Sequence, residues 1–221
     1  LFNADGTVDK WESLVGTNHI TEWSDSTSKP VLLNSETNSI TGETMSYLSG
    51  KAAAGLNITH HPSVSDPNYT LVHCTRRPTT GDTDGRIWSA KNNINSGHKG
   101  ATQVNQFYHH SWHTVRNENY HNASAYDIIT FIDIWDNVYS KSPSANWYHT
   151  HGLNSTWTSG RSWSLNGSDR YGEECDWEEF EVIYFDRQIN NTETNAIKTY
   201  LDAKYYGVLD ENNYWVDKER T

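Results

Sequence analysis

The sequence predicts an all-β chain, a two-sheet antiparallel β-sandwich with one short C-terminal helix, and three observations carry that prediction. Short alternating or apolar runs, separated by clusters of Gly, Asn, Asp, Ser and Pro, dominate the chain from start to finish, which is the pattern of a sandwich or barrel. The run 178–185, Glu-Glu-Phe-Glu-Val-Ile-Tyr-Phe, is apolar on both sides of the pleat in its second half, so it reads as a central strand covered on both faces. After residue 190 the hydrophobic period changes from that of a strand to that of a helix.

Taken in order, weaker strands surround residues 20–23, 31–33, 45–48 and 55–58, and the clearest ones fall at 69–75, 86–89, 126–134, 162–165 and 178–185. The helix follows from Ile197, Tyr200, Leu201 and Tyr205 at helical spacing, with Asn190 or Thr192 as cap, Glu193 in the first turn and Gly207 at the end. No internal repeat of fixed period is visible. A length of 221 residues suits one large all-β domain over 1–221, with its core at about 20–209.

A net charge of −11 argues against a phosphate-coated partner, because counterion release needs clustered Lys and Arg, so no nucleic acid is expected. Mean hydropathy is low at −0.82, but ten Trp and thirteen Tyr supply large apolar bodies with polar tips, sufficient for a core. Without an apolar run long enough to cross a bilayer or a basic, apolar leader, the expectation is a soluble chain with no membrane insertion. The start at Leu1 suggests a processed protein or a piece of a longer one. Cys74 and Cys175 are left open between a disulfide and two buried thiols. Sequons at Asn57, Asn68, Asn122, Asn154, Asn166 and Asn190 fit a glycosylated surface, though a chain rich in Asn, Ser and Thr generates such triplets by chance.

Residues 176–187, Asp-Trp-Glu-Glu-Phe-Glu-Val-Ile-Tyr-Phe-Asp-Arg, followed by 197–206, Ile-Lys-Thr-Tyr-Leu-Asp-Ala-Lys-Tyr-Tyr, resemble the closing strand and helix of laminin G-like jelly rolls of the concanavalin A-like kind. Upstream, Thr21-Glu22-Trp23-Ser24-Asp25-Ser26 resembles the family's early Trp turn, and the apolar run 69–77 ending in Thr-Arg resembles its entry strand. Gly85-Arg86-Ile87 and Ser96-Gly97-His98-Lys99-Gly100 resemble a subgroup seen in algal, marine microbial and viral surface proteins. The resemblance covers about residues 20–209 and departs from the family in the polar, His-rich stretch 103–121. It implies two antiparallel sheets in jelly-roll order, and an extracellular, cell-surface or virion-surface location. Family members bind glycans, bind other proteins or serve as structural modules, so the fold does not choose among tasks.

Four constellations could carry chemistry. Glu174, Asp176 and Glu178 alternate on one strand, so they share a face, and Glu-x-Asp-x-Glu looks like the catalytic strand of laminarinase-type glucanases; an acidic strand entrance is the plainer reading. Asn3-Ala4-Asp5-Gly6-Thr7-Val8-Asp9 with Glu12 follows a calcium loop from its third position, but Leu1 stands where the first carboxylate belongs; a rim calcium could instead use Asp133, Asp136 or Asp169. His109, His110 and His113, and His149 with His151, have spacings compatible with zinc, but no Cys or acidic residue completes either set, and no metal is assigned. Trp112, Trp147, His149, Asn154 and Trp157 are the candidate ligand-binding residues, with Asn146, Trp163 and Asn166 nearby in sequence, because sugar faces stack on rings while hydroxyls take hydrogen bonds. The sequence thus points to a non-catalytic surface module that binds a glycan or a neighbouring protein, with no cofactor beyond an open question of calcium. A structural capsid, fibre or filament component and a glycoside hydrolase are the alternatives.

Overall fold

A computed structural model describes residues 5–12, 19–22, 28–58, 69–78, 80–81, 86–90, 94–99, 106–108, 112–114, 127–134, 137–143, 146–151, 163–166 and 174–207. Its strands are β1 (Lys10–Glu12), β2 (His19–Glu22), β3 (Val31–Thr37), β4 (Thr44–Gly50), β5 (Leu56–Ile58), β6 (Thr70–Arg76), β7 (Arg86–Ala90), β8 (Ile94–Lys99), β9 (Gln106–Tyr108), β10 (Trp112–Thr114), β11 (Ile129–Ile134), β12 (Asn137–Lys141), β13 (Tyr148–His151), β14 (Trp163–Leu165) and β15 (Trp177–Phe185), and they are followed by the helix α1 (Asn191–Tyr206). Eight strands form one sheet in the order β1-β2-β5-β14-β7-β8-β9-β10, and seven form the other in the order β13-β12-β11-β6-β15-β4-β3. Every ladder between named strands is antiparallel. The protein is therefore an all-β, two-sheet sandwich with a C-terminal helix, as its sequence pattern predicts.

The helix makes a third layer. One core lies between the sheets and is built from Leu48, Leu71, Ile87, Trp88, Trp163, Leu165 and Trp177. A second core lies between the seven-stranded sheet and α1, built from Met45, Val72, Cys74, Ile132, Phe180, Leu201 and Tyr205. Alternation along β6 feeds both: Leu71 enters the first core and Val72 and Cys74 enter the second. Strand β15, between β6 and β4, does the same, which is why its sequence is apolar on both sides.

Alternation alone would fail on β15, and a bulge corrects it. The register against β6 shifts between Glu179 and Glu181, the two-against-one step of a β-bulge. Before it, Trp177 lies in the core between the sheets; after it, Val182 and Tyr184 pack against that core, while Phe180, Ile183 and Phe185 belong to the helix-side core. Glu181 is thereby turned to the helix, where it accepts from the Tyr200 hydroxyl (2.6 Å), the Tyr205 hydroxyl (3.0 Å) and Lys204 Nζ (3.0 Å).

Local chemistry fixes both helix ends. Asn190 Oδ1 accepts from the Glu193 N–H and Glu193 accepts from the Asn190 N–H, a capping box, so Asn190 rather than Thr192 is the cap. Gly207 closes the helix at φ 62°, a left-handed conformation that costs glycine little. Two longer contacts seat the helix on the sheet: Thr70 Oγ1 donates to the Arg187 carbonyl and accepts from the Ile189 N–H, and Asn38 Nδ2 donates to the Tyr205 carbonyl.

Several expectations are corrected by burial. Trp163 is 1% exposed and sits in the core between the sheets, so it is no ligand platform. Asn166, at φ 51°, is buried, donates through Nδ2 to the carbonyls of Ala52 and Ala54 and accepts from the Cys175 N–H; the amide nitrogen that a glycan would occupy is consumed in tying three segments together. Cys74 and Cys175 are both buried and are not joined to each other, Cys74 lying on the helix side of the sheet and Cys175 between the sheets. Asp133 is fully buried and accepts from the Tyr69 hydroxyl, so it is not a rim ligand. The strands that the pattern does not single out are β1, β8, β9, β10, β12 and β13. Among the described residues no helix is long and apolar enough to cross a membrane.

Two predictions follow from the cores. Trp177 donates its indole N–H to the Ala54 carbonyl and its ring covers Gly50 so closely that any Cβ there would collide with it. Gly50→Ala should therefore cost about 1–3 kcal/mol by overpacking, read as a lower urea midpoint. Glu179 is fully buried, with Oε2 accepting from Trp88 Nε1 (2.9 Å) and Oε1 without a hydrogen-bond partner among the described residues. Burial raises its carboxyl well above the ordinary 4.5, so the folded state keeps a proton that the unfolded chain has lost. Stability from this group is full below the unfolded pKa and falls as pH rises above it, towards the folded value. Thermal melts of Glu179→Gln should gain on the wild type as pH rises above the unfolded value and show a flatter pH profile; parallel profiles would refute a raised Glu179 pKa.

Candidate functional site

The register of three strands builds a polar cleft on the outer face of the seven-stranded sheet. Glu178 of β15 stands opposite Arg76 of β6 on one side and Ser49 of β4 on the other, so the three outward residues form a row. Strand β3 adds Glu36, and the chain beyond β4 and β6 adds Lys51, Arg77, Pro78 and Thr80. With Tyr47, Gly50 and Asp176 they enclose about 470 Å³.

Arg76 organises the cleft. Its guanidinium bonds both Glu36 oxygens through the two terminal nitrogens and Glu178 through Nε, and it lies over the rings of Tyr47 and Phe180 at 5.2 and 5.1 Å. Those rings are themselves stacked at 4.9 Å. A planar fork that pairs with carboxylates while resting on aromatic faces is a task for Arg and not Lys. The two carboxylates push the guanidinium's pKa further up despite its burial, and burial with the neighbouring Glu178 raises the Tyr47 phenol.

Asp176 forms the floor. It is 4% exposed, accepts from the Ala52 N–H (2.9 Å) and from Lys51 Nζ (2.8 Å), and the loop at Gly81 lies against Oδ2 with no space for a Cβ. Gly81 has φ 114°, a backbone angle side chains rarely allow. Lys51 reaches this buried carboxylate from solvent, its own side chain being 72% exposed.

The acidic triplet predicted on one face is thus divided by its surroundings. Asp176 and Glu178 line the cleft, whereas Glu174 pairs through its backbone with Arg86 of β7 in the other sheet, as an isolated parallel bridge, and is not among the lining residues. Of the five residues chosen from sequence, Asn154 and Trp157 lie outside the described residues, and the other three do not line the cleft. Trp112 is in β10 at the edge of the eight-stranded sheet. Trp147 is half-buried against the helix, its indole N–H on Asp202 (2.9 Å), which also holds Lys141. His149 is exposed on β13, stacked on Tyr139 at 4.3 Å and bonded to Asn137, with Lys198 Nζ over Tyr139 at 3.6 Å.

Other candidates are placed by the same contacts. Asn3 and Ala4 lie outside the described residues; Asp5 accepts from the N–H and hydroxyl of Thr7, a local turn, and Asp9 pairs with Lys29. Asp136, Asp169, His109 and His110 lie outside the described residues; His113 is in β10 and His151 in β13. No group of three or more His, Cys, Asp or Glu among the described residues is placed to hold a metal ion. Sequence reasoning missed Glu36, Tyr47, Lys51 and Arg76, and only the Thr75-Arg76 end of the entry strand hinted at any of them.

Breaking the centre of the network should be costly. Arg76→Met leaves Glu36 and Glu178 facing each other without their cation and is expected to lose about 3 kcal/mol in urea unfolding; Arg76→Lys should recover only part, because it restores charge without the fork.

A scan against protein-family models finds no match to this chain, and a search of curated proteins finds none either.

Proposed function

We propose that the protein is a non-catalytic, laminin G-like jelly-roll module that binds a glycan at a cell or virion surface, with the cleft around Arg76 and Asp176 as its seat. The observation that carries the reading is the cleft itself: a preformed concavity on a rigid sheet, within the size range of small-molecule sites, whose polar groups are fixed before any ligand arrives. Sugar hydroxyls are met by such fixed carboxylates, hydroxyls and ammonium groups. The motif likeness of the closing strand and helix supports the family and the outward-facing location.

Catalysis is disfavoured by where the carboxylates are committed. Asp176 and Glu178 each bond a cation of the protein within the cleft, which ties each carboxylate to a counter-charge. Glu179, the carboxyl that burial holds protonated, lies beside Trp88 between the sheets, where no glycosidic oxygen could reach it, and a hydrolase needs an acid and a second carboxylate flanking one bond. The exposed His149–Tyr139 pair is a second surface, suited to a neighbouring protein in a larger assembly.

A glycan array probed with the purified protein should give saturable binding. Thr80→Trp, which fills the cleft from an exposed loop position, should abolish it with an unchanged melting temperature. Absence of binding by the folded wild type would favour the purely structural role, and release of reducing ends from laminarin would favour the hydrolase.

A further inference from the structure

The charges around the cleft cancel. Glu36, Asp176 and Glu178 are matched by Lys51, Arg76 and Arg77, and the contacts are internal: Arg76 holds Glu36 and Glu178, and Lys51 holds Asp176. A ligand of net charge would meet counter-charges that are already engaged. To bind, it would have to displace a partner from an existing ion pair, Glu36 from Arg76 or Lys51 from Asp176. Hydrogen-bonding capacity, by contrast, remains. Carboxylate oxygens each accept more than one hydrogen bond and an ammonium group donates more than one, so Asp176, Glu178 and Lys51 retain capacity beyond their mutual contacts, and Ser49 and Thr80 add hydroxyls to the wall.

Resting on the glycan reading above, we propose that the cleft selects an uncharged, hydroxyl-rich short oligosaccharide and rejects uronic-acid, sulfated and amino-sugar glycans, with Glu36 and Lys51 as the residues that set this selectivity. Glu36 keeps the Arg76 fork occupied and so withholds it from a ligand carboxylate or sulfate. Lys51 occupies the buried Asp176 carboxylate and so withholds it from a ligand ammonium. Specificity here comes from repelling the wrong ligands as much as from holding the right one.

The test is isothermal titration calorimetry of the whole chain against neutral trisaccharides of glucose and mannose in several linkages, tri-galacturonate, and the glucosamine trimer. At least one neutral trisaccharide should bind saturably, with both charged trimers weaker by about tenfold or more. Glu36→Gln should raise tri-galacturonate affinity relative to the neutral ligand, and Lys51→Met should raise that of the glucosamine trimer relative to the neutral ligand, each read as the ratio of charged to neutral affinity. Lys51 is exposed, so its variant stays informative if Glu36→Gln fails to fold. A charged trimer that binds the wild type as tightly as every neutral one overturns the selectivity and leaves the glycan reading standing. Variants that do not shift charged-ligand affinity overturn the roles of Glu36 and Lys51. If no trisaccharide of any charge binds, the glycan reading itself falls.

Discussion

Strand β15 is a wall shared by two cores, and the rest of the structure depends on its side chains being dealt to the correct side. A strict period of two would send Glu181, Ile183 and Phe185 between the sheets with Trp177 and Glu179, and Phe180, Val182 and Tyr184 to the helix. The bulge at Phe180 and Glu181 reverses that assignment halfway along the strand. It sends Val182 and Tyr184 to the inner core and Ile183 and Phe185 to the helix side, and it gives α1 an anionic anchor in Glu181. Upstream of the bulge, the unshifted register leaves Glu178 beside Arg76, which is what makes a cleft.

The interior carries many polar side chains among its apolar ones. His73 is fully buried, bonded to Ser96 through Nε2 and stacked on Phe131; Asp133, Glu179 and Asn166 are buried as well. Each such group costs free energy unless partnered, so a pairing in the wrong register would strand several at once. Tyr69 on Asp133, Trp88 on Glu179 and Asn166 on the backbone of Ala52, Ala54 and Cys175 therefore penalise alternative alignments of strands far apart in sequence. Aromatic residues with polar tips serve this end, filling volume with the ring and satisfying a buried acceptor with the N–H or O–H.

The candidate site was partly legible. Asp176 and Glu178 stand out in the sequence because an acidic alternation at a strand entrance is conspicuous. The partners that give them meaning are single residues in strands whose patterns say nothing about charge: Arg76 reads as the end of an apolar run, Glu36 as an edge residue, Lys51 as a turn. Trp147 and Trp163, two rings the sequence offers as sugar platforms, are covered to different degrees, Trp147 in part by the helix side and Trp163 wholly between the sheets.

The sequence by itself determined what consecutive residues can specify: where the clearer strands and the helix lie, that residues 178–185 would be covered on both faces, and that Gly207 would end a helix begun at Asn190 or Thr192. Periodicity and capping are local, so they survive without a fold. Only the tertiary structure decided which face each side chain took beyond the bulge, that Cys74 and Cys175 stand on opposite sides of a sheet, that Asn166 is sealed in the interior, and that Glu36, Arg76 and Glu178 converge. Those outcomes depend on register between strands separated by tens of residues, and register is a relation between segments that no single segment's pattern contains.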